Sequence, residues 1–355
     1  MISINMFSSA DKVAGQGVGS AYLELMGLLK KYFPDEFKIR VNNFGHSQIS
    51  HYHTIDPQFF LSTWAPKRGR KIGYVHFLPD TLDSSLTLPA VARVSLDKYV
   101  IAFYKRMDHL VVVNPNFIPR LAAYGIDPDT VTYIPNFVAT KTFHPENDER
   151  QRALREELGI EQDAFVVFGA GQVQERKGID DFIELAKRNP DVRFIWAGGF
   201  SFGAITNGYS HLKKEVANPP ANLKFTDIIP RETMIHYYNV ADLFLLPSYE
   251  ELFPMTVLEA FATHTPVMVR SLELYDQIIE PYAVEADDML DMEAKIRQLK
   301  DNPDKLQHYA DLAAQATDEY SEEHLAHVWE KFYKEQAKLG HLKKAKKDKK
   351  KVGKK

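Results

Sequence analysis

Residues Pro247–Val267 read PSYEELFPMTVLEAFATHTPV. The residues just before them, Asp242 to Leu246, form a short apolar run suited to a buried strand, and from Met255 the apolar spacing turns helical. Two carboxylates, Glu251 and Glu259, flank that change with seven residues between them. The first therefore falls in a loop at a sheet edge and the second one turn into a helix. In an open α/β sheet, ligands bind in the crevice beyond the strand ends, where helix N-termini point outward. A pair of acids there can grip hydroxyls. Two solvated carboxylates near a helix start are equally favoured by its dipole, and the spacing leaves both readings open.

Working outward, the same strand, loop and helix unit recurs along the chain. The spacing predicts strands over residues 2 to 7, 37 to 41, 49 to 53, 71 to 77, 110 to 113 and 131 to 134. The segment PNFVATKTFHPEND, with two prolines, reads as an interdomain connection. A second series follows, with strands at 165 to 169, 192 to 197, 222 to 226, 242 to 246 and 266 to 269. Strands alternating with helices make a doubly wound parallel sheet, here twice over. Leu325, Val328, Trp329, Phe332 and Tyr333 mark an amphipathic helix near the end, most simply a packing face.

At 355 residues the chain accommodates two domains, and 45% hydrophobic with 26% charged residues is a globular composition. The absence of Cys removes disulfides, thiolate metal sites and a Cys nucleophile, and agrees with a reducing compartment. No apolar run reaches the ~18 residues of a membrane span, and the first residues lack a signal-peptide pattern, so a cytoplasmic protein is expected. Residues 340–355, GHLKKAKKDKKKVGKK, carry +8 and leave the remainder at −12, against −4 for the whole. A disordered polybasic tail on an acidic body suits a negatively charged partner, with anionic lipid and nucleic acid both eligible; a merely solubilising end is the plain alternative.

Three further stretches can carry chemistry. In GAGQVQERKG, Gly169 and Gly171 free the backbone after a strand, and Arg176 and Lys177 place two cations beside the next helix start, which makes an anion site. The Walker spacing and its Ser or Thr are missing, so this is no P-loop. Gly15, Gly17 and Gly19 form a glycine-rich turn after the first strand, without the dinucleotide fingerprint. His53 and His76 fall at strand ends, where a histidine suits a sugar or phosphate. His51 and His53 share a strand face, but no acid or third His stands nearby in sequence, so no metal site is expected.

Together GAGQVQERKG, the linker YIPNFVATKTFHP and the segment from Asn222 to Val267 resemble the retaining GT-B glycosyltransferases of family 4, over nearly the whole chain. The resemblance implies an α/β GT-B fold, two Rossmann-like doubly wound domains facing a cleft: an acceptor-side domain at 1–140, a nucleotide-sugar domain at 141–320, a helix at 321–339 crossing back, and the tail at 340–355. It implies Glu251 and His76 beside the reacting sugar, with Glu251 near the positive charge that develops on the ring. Glu259 is implied at the ribose, Arg176 and Lys177 at the diphosphate, Gly17 and Gly171 with Gln172 near the phosphates, and Ile229 at the base. Phe253 and Met255 belong to the loop facing sugar and phosphate. Gln172 stands where many members have Arg; Pro254, His264 and Asp227 each replace a Gly.

Retention implies same-face attack by the acceptor hydroxyl with no protein nucleophile; separately, no metal or other cofactor is expected. The opening SINMFSSADKVAGQGVGSAYLE, with YVHFLPDTL and the Lys-rich end, most resembles Gram-positive bacterial enzymes that add a second hexose to α-glucosyl-diacylglycerol, the anchor type of lipoteichoic acid. The expected partners are UDP-glucose or UDP-galactose, the glycolipid acceptor and an anionic membrane, not nucleic acid. The enzyme is then peripheral on the inner face of the cell membrane, with Lys67, Arg68, Arg70 and Lys71 facing it. The alternatives are a polysaccharide or soluble sugar acceptor, and a non-catalytic GT-B scaffold.

Overall fold

The computed structural model describes residues 1–10, 17–79, 90–201, 203, 206, 208–251, 253–276 and 278–352. The first half is built from β1 (Ile2–Phe7), α1 (Gly17–Tyr32), β2 (Phe37–Val41), β3 (Ile49–Tyr52), α2 (Pro57–Ser62), β4 (Arg70–Val75), α3 (Ala90–Lys105), β5 (His109–Val112), α4 (Phe117–Ala123) and β6 (Val131–Tyr133). The second half adds α5 (Asp148–Leu158), β7 (Val166–Ala170), α6 (Ile179–Arg188), β8 (Arg193–Ala197), α7 (Tyr209–Ala217), β9 (Leu223–Phe225), α8 (Arg231–Val240) and β10 (Leu243–Leu246). It continues with α9 (Met255–Ala262), β11 (Val267–Arg270), β12 (Val284–Ala286), α10 (Met289–Lys300), α11 (Pro303–Glu319) and α12 (Glu322–Val352).

Each half carries a six-stranded parallel sheet, ordered β2-β1-β3-β4-β5-β6 in the first and β12-β11-β10-β7-β8-β9 in the second. These are two Rossmann-like domains. Every residue of β7 and β10 is buried, as expected for central strands covered on both faces, which read as unbroken apolar runs. In the second sheet the strand order reverses between β7 and β10, which pair through Leu243 with Val167 and Phe244 with Phe168. The loops leaving those two strands therefore open side by side at the switch point, where such sheets take ligands.

No strand is expected from the sequence at β12, whose Val-Glu-Ala interrupts its apolar residues with a carboxylate. The final helix lies against the first sheet. Tyr333 and His51 Nδ1 share a hydrogen bond of 2.7 Å, and Trp329 packs against the His51 and Tyr74 rings at 5.8 and 5.7 Å. Ion pairs of Glu322 with Lys31 (2.5 Å) and Lys334 with Glu36 (2.6 Å) reinforce it. The polybasic stretch expected to be disordered is instead helical as far as Val352. Between Gly340 and Gly353 it holds no Gly or Pro and is rich in Lys, a good helix former, so a helix nucleated on the sheet propagates into it.

Three of the four basic residues expected to face a membrane are turned into the protein. Arg68 is buried, donating to the carbonyls of Asn43 (3.2 Å), Phe44 and Gly45 (3.1 Å). Arg70 Nε donates to Gln336 of α12 at 2.8 Å, and Lys71 pairs with Asp108 at 2.8 Å. The carbonyls of residues 43–45, the Gln336 amide and the Asp108 carboxylate give these cations partners within the protein, Gly45 O being shared with Asn5 Nδ2 at 3.2 Å. Lys67 alone of the four is exposed.

Candidate active site

The chain leaving β7 turns sharply at Gly171, whose φ of 150° lies in the region that favours glycine. Its N–H donates to Ala197 O (2.9 Å), and its carbonyl accepts from Trp196 Nε1 (3.1 Å), fixing the turn to β8. Gln172 accepts from Gln174 Nε2 at 2.6 Å. A single 3-10 turn, Glu175–Lys177, then presents Arg176 and Lys177. Gly178 follows at φ 69°, where an added Cβ would lie 2.3 Å from Pro247 O, so only glycine lets the two loops approach this closely.

The loop leaving β10 is stitched to this turn. Tyr249 N–H donates to Arg176 O (2.8 Å), and Arg176 in turn donates to Glu250 O (3.1 Å). Lys177 Nζ and Glu251 Oε1 form an ion pair in which both side chains are nearly inaccessible, 12% and 8% exposed. Burial alone would raise the Glu251 carboxyl; the Lys177 ammonium and Arg176 guanidinium outweigh it and hold the group below its ordinary range. Two cations against one carboxylate leave this end of the site with a positive excess suited to an anion.

Glu259 sits in the first turns of α9, buried, with Tyr238 O–H donating to one oxygen at 2.9 Å and Arg231 to the other at 3.3 and 3.4 Å. Burial pushes its carboxyl up, and the Arg231 and Tyr238 contacts only partly offset it. Met255 opens α9 and is buried; Phe253 is buried against Tyr320, with its carbonyl accepting from Asn136 Nδ2 at 3.1 Å. Ile229, partly buried, lies between β9 and α8.

A family model described as "Glycosyl transferases group 1" matches residues 150–319. The alpha-galactosylglucosyldiacylglycerol synthase of Streptococcus pneumoniae is 50% identical over 340 residues, 96% of this chain and 91% of that protein. This chain belongs to the group 1 glycosyl transferases. A processive diacylglycerol alpha-glucosyltransferase of Acholeplasma laidlawii is 37% identical over 36% of this chain and 37% of its own length. In fold, the glycosyltransferase resembles sucrose-phosphate synthase from Thermosynechococcus elongatus (TM-score 0.77, 15% identity, 94% of this chain, 99% of that one). It is also similar to Anabaena HepE in complex with UDP and glucose (TM-score 0.76, 13% identity, 94% and 100%).

Two of the glycosyltransferase's non-glycine departures occupy glycine-like conformations: His264 at φ 57° and Asp227 at φ 60°. His264 completes a Schellman turn, its N–H donating to Phe261 O and that of Thr265 to Ala260 O, both at 2.9 Å. Gly17 opens α1, and Gly15 lies outside the described residues. His76, just past β4, is buried beside Tyr74 (ring centroids 4.2 Å apart) and His53 (5.8 Å). Burial takes His51 and His76 down to about 3 and His53 well below its usual value. Among the described residues no three His, Cys, Asp or Glu side chains are grouped as metal ligands.

Arg231, Tyr238, Glu24 and Asn136 escaped sequence reading. Arg231 stands two residues after Ile229, but nothing in its spacing marks it apart from a surface charge at a helix start.

Proposed function

We propose that this glycosyltransferase moves a hexose, galactose or glucose, from a UDP-sugar onto α-glucosyl-diacylglycerol with retention, giving a dihexosyl lipid at an anionic membrane surface. The observation that carries the reading is the Lys177–Glu251 pair with Arg176 at the sheet's switch point. The positive excess receives the diphosphate, and Arg176 and Lys177 stabilise the charge that grows on it as the sugar leaves. Glu251, held as a carboxylate, lies where positive charge develops on the ring. The acceptor hydroxyl attacks from the face the diphosphate leaves, and a phosphate oxygen takes its proton. Glu259 accepts hydrogen bonds from the ribose hydroxyls and Ile229 flanks the base. His76 borders the sugar from the first domain.

The acceptor assignment draws on likeness to the pneumococcal synthase, which runs through the first domain as well as the second. No described helix is long and apolar enough to cross a membrane. A surface attachment through the Lys-rich end brings such an enzyme to a lipid headgroup. The test is incubation with α-glucosyl-diacylglycerol and each UDP-sugar in turn, followed by identification of the lipid product. A dihexosyl-diacylglycerol is expected; transfer to a soluble or polymeric sugar with none to the lipid would replace the acceptor assignment.

A further inference from the structure

Arg231, the first residue of α8, is shared between carboxylates of the two domains. One of its terminal nitrogens lies 2.5 Å from Glu24 Oε1 on α1 and 3.3 Å from Glu259 Oε1 on α9. The contact with Glu24 is one of charge at short range without hydrogen-bond alignment. The guanidinium also rests over the Phe143 ring at 5.1 Å, and both carboxylates are buried. Glu24 belongs to α1 of the first domain, the helix that opens at Gly17, whereas Arg231 and Glu259 belong to the second domain. One cation between two buried anions leaves the cluster negative by one charge. Glu259 already accepts from the Tyr238 hydroxyl at 2.9 Å, and further hydroxyl donors at that carboxylate would offset the remaining charge.

We propose that Arg231 is a positioning residue for the nucleoside end of the donor: it fixes the Glu259 carboxylate and, through Glu24, ties it to the first domain. A nucleoside diphosphate then binds best when the domains stand apposed as they do in this structure. The proposal rests on Glu259 receiving the nucleoside hydroxyls. Without Arg231, two carboxylates face one another in a buried setting, so one takes up a proton or the domains part. Either outcome weakens the grip on the nucleoside and leaves the reacting sugar, at Glu251, untouched.

The experiment measures UDP binding by calorimetry and KM and kcat for the UDP-sugar, on the full chain. The variants are Arg231→Met, Arg231→Lys, Glu24→Gln and the double Arg231→Met/Glu24→Gln. Arg231→Met is expected to weaken UDP and raise KM at least about tenfold, the scale for a broken buried charge contact, with kcat nearly unchanged. Arg231→Lys recovers part of the loss. Glu24→Gln weakens UDP binding in the wild-type background but improves it in the Arg231→Met background, where it removes an unopposed carboxylate. Wild-type UDP affinity in Arg231→Met, or the two losses simply adding in the double variant, would overturn the proposal. If Arg231→Met does not fold, Glu24→Gln alone decides, since unchanged UDP binding there contradicts the tie between domains. A wild-type chain that binds no UDP would remove the donor-site reading together with the proposal.

Discussion

Lys177 and Glu251, 74 residues apart in sequence, meet because their loops leave neighbouring parallel strands at the point where the second sheet reverses its strand order. The pair is buried and its charges depend on each other. Lys177→Met, which strands the carboxylate, is expected to cost about 3–5 kcal/mol, whereas Lys177→Met with Glu251→Gln should cost less than either loss added to the other. Urea unfolding of the two single variants and the double variant checks this; strict additivity would show that the charges do not interact.

The histidines at the end of the first sheet make stability depend on pH. His51 and His76 titrate near 3 in the folded chain, depressed by burial, against about 6.5 when unfolded. Below about 6.5 the unfolded chain takes up protons that the folded one refuses. Stability is therefore full above that pH and falls toward 3, at up to about 1.4 kcal/mol per pH unit for each histidine. Urea midpoints at pH 7.5 and 5.5 should differ in the wild type and differ less in His51→Phe. Equal pH dependence in both would contradict the assignment.

His264 holds a left-handed conformation at the end of α9, where a side chain is strained. His264→Gly is expected to raise stability by about 1 kcal/mol, the strain relieved exceeding the added freedom of the unfolded chain. Thermal unfolding reads the result, and a lower midpoint would mean that the imidazole makes contacts worth more than the strain.

The Lys-rich end continues α12 beyond Gly340, whose added Cβ would meet Arg70 at 3.5 Å. Removing residues 341–355 is expected to leave UDP binding intact and to abolish most of the sedimentation with vesicles containing anionic lipid, an effect that salt should mimic. Undiminished sedimentation would place the attachment elsewhere on the chain.

Much of this architecture was legible because central parallel strands are unbroken apolar runs, and β7 and β10 announce themselves that way. That Glu251, Arg176 and Lys177 lie in loops at the ends of such strands was legible for the same reason. What escaped depends on contacts remote in sequence. Arg68 looks like a surface cation until the carbonyls of residues 43–45 close around it. Arg231 gains its meaning only when α1 brings Glu24 across from the other domain. The end of the chain was misjudged for another reason: its charge argued for disorder, while its freedom from Gly and Pro lets a docked helix run on.

The central claim is that the carboxylate held by Lys177 faces the reacting sugar. Its most direct test is the rate of hexose transfer by Glu251→Gln, a variant that keeps the side chain's size, measured beside its affinity for UDP. Transfer is expected to fall at least about a hundredfold, with UDP binding changed far less. Transfer at the wild-type rate would contradict the placement of Glu251 at the site of reaction.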